Sequence, residues 1–308
     1  MADVMTVRGA ISGDRLGVVD YHEHLAFDAP AWLLREDRDF RLDDPEKSAI
    51  ELQSWVQAGG KTIIEMSAID FGRHIQKVAR VADLVPEAHI VVITGYNKPY
   101  YCDRSVWQTP EDDLIRACIR DIVEGIDGTG IRAGIMKGGT GYNTFTDKDR
   151  KLLRIAAKVQ LETSVPIITH TEAGTMGYEQ VEYLCSFGVK PEHICLSHMD
   201  RNPDFWEHRR IVATGAYLGY DCPGKIKYGP DELRIDVLRK LADEGLDHRI
   251  LLGNDLGRPS YWRSYGGGPG LDFVLTKFMA RLRAQGFLQQ TLDNLLIHNP
   301  RRFLTLEG

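Results

Sequence analysis

The stretch RLGVVDYHEH, residues 15–24, begins as an apolar run and ends with two histidines, His22 and His24. Residues i and i+2 of a β-strand point to the same face, so these imidazoles would lie side by side at the end of a buried strand. Two interpretations fit the pair: core histidines that are hydrogen-bonded to the backbone, or ligands of a metal ion. The stretch alone does not choose between them.

Seven more apolar, β-branched runs follow, each after a longer amphipathic or charged segment. They are KTIIEMS (61–67), HIVVITGY (89–96), AGIMKGG (133–139), VPIITHT (165–171), HICLSHM (193–199), IVATGAYLGY (211–220) and RILLGND (249–255). Runs this apolar, without polar alternation, are typical of parallel strands that are buried on both faces. The sequence therefore predicts eight such strands.

The segments between the runs predict helices, most clearly at 45–59, 110–126, 146–164 and 230–245, with Thr146 as a cap and Gly245 as a stop. Eight alternations of strand and helix indicate an α/β fold, a (β/α)8 TIM barrel. A doubly wound open sheet is the competing fold, but it would more often begin with a G-x-G-x-x-G turn, which is absent. No repeat or linker divides the chain, so we expect a single domain over residues 1–308.

Charge and cysteine content argue against several classes of protein. The net charge is −6 and there is no basic run, so no nucleic-acid partner is expected. No apolar run approaches the roughly 18 to 20 residues of a membrane span, and the first residues lack a signal-peptide pattern. The five cysteines show no C-x-x-C spacing, which fits reduced thiols. We therefore expect a cytoplasmic protein without a membrane partner.

Six polar residues stand at the predicted carboxyl ends of the strands, where barrels of this kind build their active sites. Any one of them has an ordinary explanation, since a lone strand-end histidine is more often structural and a lysine usually reaches water. Six at matching ends of one barrel instead indicate a common site. They are His22, His24, Lys137, His170, His198 and Asp255.

The chemistry of these side chains is that of a metal site. Four imidazoles and a carboxylate suit Zn²⁺, Mn²⁺ or Co²⁺. Five ligands are too many for one open catalytic zinc, so two divalent ions are predicted. A pair of cations needs bridging anions, and Asp255 alone is a weak candidate. A protonated Lys137 would be repelled by both ions, whereas carbamylation by CO2 would give it one anionic oxygen for each. We hypothesise this carboxylated Lys137.

The ordered set resembles the phosphotriesterase-like family of the amidohydrolase superfamily. The resemblance rests on H-x-H at 22–24, Lys137 in GIMKGG, His170 in ITHTEAG, His198 in LSHMD and Asp255 in LGNDLGR, and it covers residues 15 to 305. It implies a binuclear centre in which His22 and His24 bind the more buried metal with Asp255. His170 and His198 would bind the other metal, and the carboxylated lysine would bridge the two.

Such a centre predicts a hydrolase. A hydroxide that bridges two metals is a strong nucleophile near neutral pH, and the more exposed metal can polarise a carbonyl or phosphoryl oxygen. Asp255 would take the proton of the hydroxide and deliver it to the leaving oxygen. This chemistry cleaves esters, lactones, amides or phosphoesters, so the centre predicts the mechanism and leaves the substrate open.

Two basic loops provide the clue to the substrate. Loops after strands seven and eight often bind phosphate in these barrels, and Arg, Lys and Tyr supply suitable donors. Here they hold Lys225, Lys227, Arg258 and Tyr261. With SYGGGPG (264–270), they resemble the subgroup that hydrolyses phosphorylated sugar lactones. That resemblance implies that Lys227, Arg258 and Tyr261 grip the 5-phosphate of a pentono-1,4-lactone, with Lys225 as the alternative lysine.

Other expectations concern the remaining loops and the rival functions. The loop after the third strand offers three possible substrate contacts, Tyr96, Asn97 and Lys98, although packing of the loop explains them equally well. A phosphotriesterase or acyl-homoserine lactonase on the same centre, a metal-dependent amidase, and a binding protein without turnover are the alternatives. Family members are often dimers, so a homodimer is a further expectation.

Overall fold

The computed structural model describes residues 2–306 and contains an eight-stranded parallel sheet. An antiparallel hairpin, β1 (Asp3–Thr6) and β2 (Gly9–Ser12), precedes it. The strands of the sheet lie in chain order, each beside the next, and match the eight predicted runs. They are β3 (Val19–Glu23), β4 (Thr62–Glu65), β5 (His89–Gly95), β6 (Ile135–Thr140), β7 (Ile167–Thr171), β8 (Ile194–Ser197), β9 (Tyr217–Tyr220) and β10 (Ile250–Leu252).

Helices lie between these strands, as the sequence predicts, and three more follow the last strand. They are α1 (Ala31–Glu36), α2 (Pro45–Gln57), α3 (Ile75–Leu84), α4 (Arg104–Gln108), α5 (Glu111–Val123), α6 (Asp147–Thr163), α7 (Gly177–Cys185), α8 (Phe205–Thr214), α9 (Asp231–Asp243), α10 (Met279–Ala284), α11 (Gln289–Asp293) and α12 (Asn299–Thr305). Thr146 caps α6 in a reciprocal pair with Asp149, which confirms the predicted cap. Among residues 2–306, none of these helices has the length and apolar character needed to cross a membrane.

The last strand meets the first and closes the sheet into a (β/α)8 TIM barrel. The Asp255 backbone N–H donates to the His22 carbonyl over 2.8 Å, and the Asn254 side chain donates to Asp20 over 2.6 Å. Gly253 permits this approach, because a Cβ at that position would lie 2.5 Å from an Asp20 carboxylate oxygen. The barrel fold is therefore confirmed, and its seam lies beside the predicted metal ligands.

Apolar side chains pack on both sides of the sheet. Alternate strand residues such as Ile64, Ile93, Ile135 and Ile168 fill its interior, while other strand residues face the helices. The pairing of β3 with β4 is irregular between Asp20 and Glu23. The irregularity includes His22, and His24 follows directly after the end of β3.

The predicted strand at 211–220 is too long. Its first residues lie in α8, which Asp204 caps through the backbone N–H of Glu207 and which ends at Gly215 with φ of 100°. Ile211 and Val212 are β-branched, but one face of α8 buries both against the barrel. Tertiary burial therefore outweighs their strand preference.

Candidate metal centre and substrate cavity

A cavity of about 220 Å³ opens at the carboxyl ends of the strands. Four histidines and Asp255 line it, and Lys137 is buried nearby. We call these six predicted residues the floor: His22, His24, Lys137, His170, His198 and Asp255. We call the three predicted phosphate ligands, which also line the cavity, the rim: Lys227, Arg258 and Tyr261.

The first group of floor residues is His22, His24 and Asp255. The two Nε2 atoms lie 3.7 and 3.5 Å from Asp255 Oδ1. The opposite ring nitrogens lie near hydroxyl groups, His22 Nδ1 at 3.2 Å from Ser197 Oγ and His24 Nδ1 at 3.0 Å from Ser67 Oγ. Both Nε2 atoms are thereby turned towards one carboxylate oxygen, and the three side chains are close enough to share a metal ion.

The second group of floor residues is His170 and His198. His198 Nε2 lies 3.0 Å from His170 Nδ1, and the outer nitrogen His170 Nε2 lies 3.0 Å from Glu172. Burial and the charge of Lys98 lower the pKa of His170 to about 3, and burial lowers that of His22 to about 4. Neutral imidazole is the form that binds metals, so this environment fits ligation.

Asp221 supports the histidines from beneath and was not among the predicted site residues. Its carboxylate lies 2.7 Å from His198 Nδ1 and 3.3 Å from His22 Nδ1, and it accepts a hydrogen bond from the Tyr21 hydroxyl. Burial opposes its ionisation, but His198 and His22 hold the pKa of Asp221 well below its usual range. Carboxylates of this kind fix the orientation of metal-binding imidazoles. Its position directly after β9 was the sequence signal.

Lys137 is the most unusual residue of the floor. It lies inside β6 rather than at the predicted strand end, and its side chain is 1% exposed. Nζ has no hydrogen-bond partner among residues 2–306, and burial lowers the pKa of Lys137 to about 8. A buried amine without a partner is costly, so the environment fits a lysine that is modified or bound to metal. The donor set as a whole fits two metal ions.

Two cations that sequence reasoning did not assign to the floor hold Asp255. Arg201 Nη2 donates to Asp255 Oδ2 over 2.9 Å, and Lys225 Nζ donates to the same oxygen over 3.0 Å. Lys225 also donates to the Asp255 carbonyl over 2.8 Å. Asp255 Oδ1 thus faces His22 and His24, and Oδ2 faces the two cations. Lys225 also lines the cavity, but it is buried and its ammonium group is already bonded to Asp255.

The rim residues lie together. Lys227 Nζ is 5.1 Å from the centre of the Tyr261 ring and makes no ion pair with any residue of 2–306. Burial, Arg258 and Lys225 lower the pKa of Lys227 to about 8. Arg258 pairs with Asp37. The rim therefore presents a lysine whose nearest charges are mostly positive, which is an environment suited to an anion.

The three residues predicted as possible substrate contacts in the loop after β5 lie in different environments. Asn97 and Lys98 line the cavity, and the Asn97 Oδ1 atom has no partner among the described residues. Lys98 pairs with Glu172. Tyr96 does not line the cavity, because its ring is buried in the apolar layer between barrel and helices, which also holds Leu114.

Comparisons with known proteins agree with this geometry. The phospho-furanose lactonase of Mycoplasmopsis agalactiae is 34% identical over 99% of this chain and 92% of that protein. The crystal structure of a lactonase from Listeria monocytogenes has a TM-score of 0.95 at 33% identity and covers 100% of both chains. The phosphotriesterase homology protein of Escherichia coli, solved with phosphate in its active site, has a TM-score of 0.90 at 33% identity over 94% of this chain and 99% of that one.

A family model points to the same group of proteins. The model of the phosphotriesterase family matches residues 2–304, nearly the whole of the described structure. The resemblance stated from the ordered ligand motifs is thereby confirmed, and so is the expectation of a hydrolase that acts on ester bonds. The family model matches nearly the whole chain, and relatives at least 30% identical to the chain align with it over almost their full length. The chain therefore belongs to the phosphotriesterase family.

Proposed function

We propose that the protein is a metal-dependent lactonase that hydrolyses pentono-1,4-lactone 5-phosphates. One observation carries the proposal: a basic rim and five of the six floor residues line the same cavity, with the sixth, Lys137, buried beside them. A small sugar lactone with a phosphate at its far end presents groups that match both, an electrophilic carbonyl for the floor and a dianion for the rim. The family match over residues 2–304 also supports one domain over 1–308.

The floor would hold the metals. His22 and His24 with Asp255 Oδ1 would bind one ion, and His170 with His198 would bind the other. Carboxylated Lys137 would bridge them, and Zn²⁺, Mn²⁺ and Co²⁺ all suit these donors. When bound, such ions lower the pKa of water and polarise a carbonyl oxygen.

Asp255 would move the proton. It would accept a proton from the attacking water and give it to the ring oxygen as the bond from that oxygen to the carbonyl carbon breaks. The product is an open-chain hydroxy acid. Although burial opposes ionisation, Lys225 helps to hold the pKa of Asp255 well below its usual range, so it begins as a carboxylate. Arg201 and Lys225 also fix its orientation.

The rim would bind the phosphate. The Lys227 ammonium, the Arg258 guanidinium and the Tyr261 hydroxyl are the donor types that recognise a phosphate dianion. Asn97 and Lys98, which line the same cavity, would contact the lactone hydroxyls. The names of the lactonase relatives and the phosphate in the Escherichia coli structure support this assignment.

The decisive experiment compares kcat/KM for a pentono-1,4-lactone 5-phosphate and for the same lactone without phosphate, with Mn²⁺- or Zn²⁺-loaded protein. A preference of a hundredfold or more for the phosphorylated lactone is expected, which corresponds to about 2.7 kcal/mol. Equal rates would contradict the phosphate assignment and leave the hydrolase. No turnover of either lactone would contradict the lactonase proposal.

One observation favours a second candidate, an esterase for uncharged substrates such as phosphotriesters or acyl-homoserine lactones. Phe40, Phe71 and Tyr101 also line the cavity and form an aromatic wall. Faster turnover of uncharged esters than of phosphorylated lactones would establish this candidate. Turnover of N-acyl amino acids would instead indicate an amidase.

A further inference from the structure

Residues 37–40 belong to the connection between α1 and α2, and the proposed function gives them no role. Asp37 begins a short helical turn, Arg38–Phe40, by accepting the Asp39 backbone N–H at Oδ1 over 3.0 Å. Phe40 lines the cavity, whereas Asp37 and Asp39 stand outside its lining. The segment therefore forms part of the outer wall of the cavity on the side of the rim.

The segment holds the rim at two points. Arg258 Nη1 donates to Asp37 Oδ2 and lies 3.7 Å from Asp39 Oδ2, while the guanidinium carbon lies 4.0 Å from the centre of the Phe40 ring. Asp39 also accepts the Ser260 backbone N–H over 3.0 Å and the Ser260 hydroxyl over 2.5 Å. Ser260 directly precedes Tyr261, so two rim residues are fixed by this segment.

These contacts leave one edge of the Arg258 guanidinium free. Asp37 occupies the Nη1 corner and Phe40 covers a face, but neither Nε nor Nη2 donates a hydrogen bond to any residue of 2–306. The Nε and Nη2 N–H groups point the same way in the guanidinium plane and bind two oxygens of a phosphate in parallel.

We propose that Asp37 is a positioning residue for phosphate selectivity: it holds Arg258 so that the free Nε–Nη2 edge faces the substrate's phosphate. This inference rests on the proposed function and adds to it a residue that lies 221 positions before Arg258 in the sequence. Asp37 acts through the guanidinium, from behind it, and does not touch the substrate. Without it, Arg258 would sample other rotamers and would bind the phosphate less often.

The test uses Asp37→Asn in the metal-loaded protein. The asparagine Oδ1 still accepts the hydrogen bond from the Asp39 N–H, so the turn is preserved. The asparagine NH2 group replaces the oxygen that accepts the hydrogen bond from Arg258 Nη1, so that bond is lost. The ratio of kcat/KM for phosphorylated and unphosphorylated lactone should fall about tenfold, through KM rather than kcat. Asp43→Ala is the matched control, because no hydrogen bond or ion pair links Asp43 to residues 2–306. It should leave the ratio within about twofold of the original protein.

A double-mutant cycle separates positioning from a general effect on folding. In the Arg258→Ala background, Asp37→Asn should change the ratio by less than about twofold, since the group it positions is gone. A selectivity ratio that Asp37→Asn leaves intact, or an equal loss on both lactones, would overturn the inference alone. If the original protein showed no preference for phosphate, the proposed function would fail and the inference with it.

Discussion

The floor and the rim of the cavity are built in different ways, although both consist of polar or charged residues. The floor residues lie on strands or within three residues of a strand end; five of them are buried, and the side chain of Asp255 is 14% exposed. Partners such as Asp221 and Ser197 orient their side chains. The rim residues lie in the loops after β9 and β10, and Arg258 depends on a distant segment for its position. Under the proposed function, the comparison assigns the type of reaction to the barrel and the substrate selectivity to the loops.

The largest expected effect comes from the floor. Asp255→Asn should lower kcat by about 10²- to 10⁴-fold on both lactones, because the amide cannot accept the proton. It should retain most of the metal, since Oδ1 remains as a ligand. Elemental analysis beside kcat measurements checks this. Unchanged turnover would contradict the mechanism, because the floor would then have no demonstrated role in the reaction that distinguishes it from the rim.

Asp221→Asn should have the next largest effect, and it should again be equal on both lactones. The amide cannot accept from both His198 and His22, so ligand orientation is lost, and metal affinity or activity should fall about 10- to 100-fold. Metal titration followed by kcat/KM on both substrates gives the measurement. A loss confined to the phosphorylated lactone would break the proposed division between floor and rim.

Arg258→Ala tests the rim, and unlike the floor variants it should affect only the phosphorylated lactone. Loss of a charge-assisted hydrogen bond costs about 1.5 to 3 kcal/mol, so KM for the phosphorylated lactone should rise about 10- to 100-fold. Lys227→Ala should behave in the same way. The unphosphorylated lactone supplies the internal control, and comparable losses on both substrates would refute the phosphate assignment.

The smallest expected effect is a pH dependence that belongs to the rim alone. The pKa of Lys227 is about 8, and its protonated form is the one that attracts phosphate. The preference for the phosphorylated lactone should therefore decline, by several fold, as the pH rises through about 8, where the substrate is already a dianion. Ratios of kcat/KM measured from about pH 6.5 to 9.5 test this, and Lys227→Arg, which stays charged, should flatten the profile.

The floor could be predicted from sequence because strand order and strand ends place residues with little freedom. His22, His24, His170, His198 and Asp255 were expected together, and the structure brings them to one cavity. The same rule applied to the end of β9 points to Asp221. The cap of α6 could also be predicted from the sequence, since it depends only on residues three positions apart.

The rim was harder, because loop geometry decides which side chains reach the cavity. Lys225 and Lys227 are two residues apart and both line the cavity, yet Lys225 is buried and bonded to Asp255 whereas Lys227 makes no ion pair within residues 2–306. The sequence pattern alone could not separate them. Tyr96 and Asn97 are neighbours that point to different environments. The Arg258–Asp37 pair joins residues too distant in sequence for any local pattern to predict.

The seam of the barrel also bears on how the protein is made. Asn254 bonds to Asp20 across 234 residues of sequence, and the Asp255 N–H bonds to the His22 carbonyl beside it. During synthesis the first strand leaves the ribosome long before its last partner exists, so its outer edge stays unpaired until translation is almost complete. Side chains from both sides of the seam would form the first metal site. If the floor binds metal as proposed, we expect the first metal site to be completed only when the barrel closes, late in the maturation of the chain.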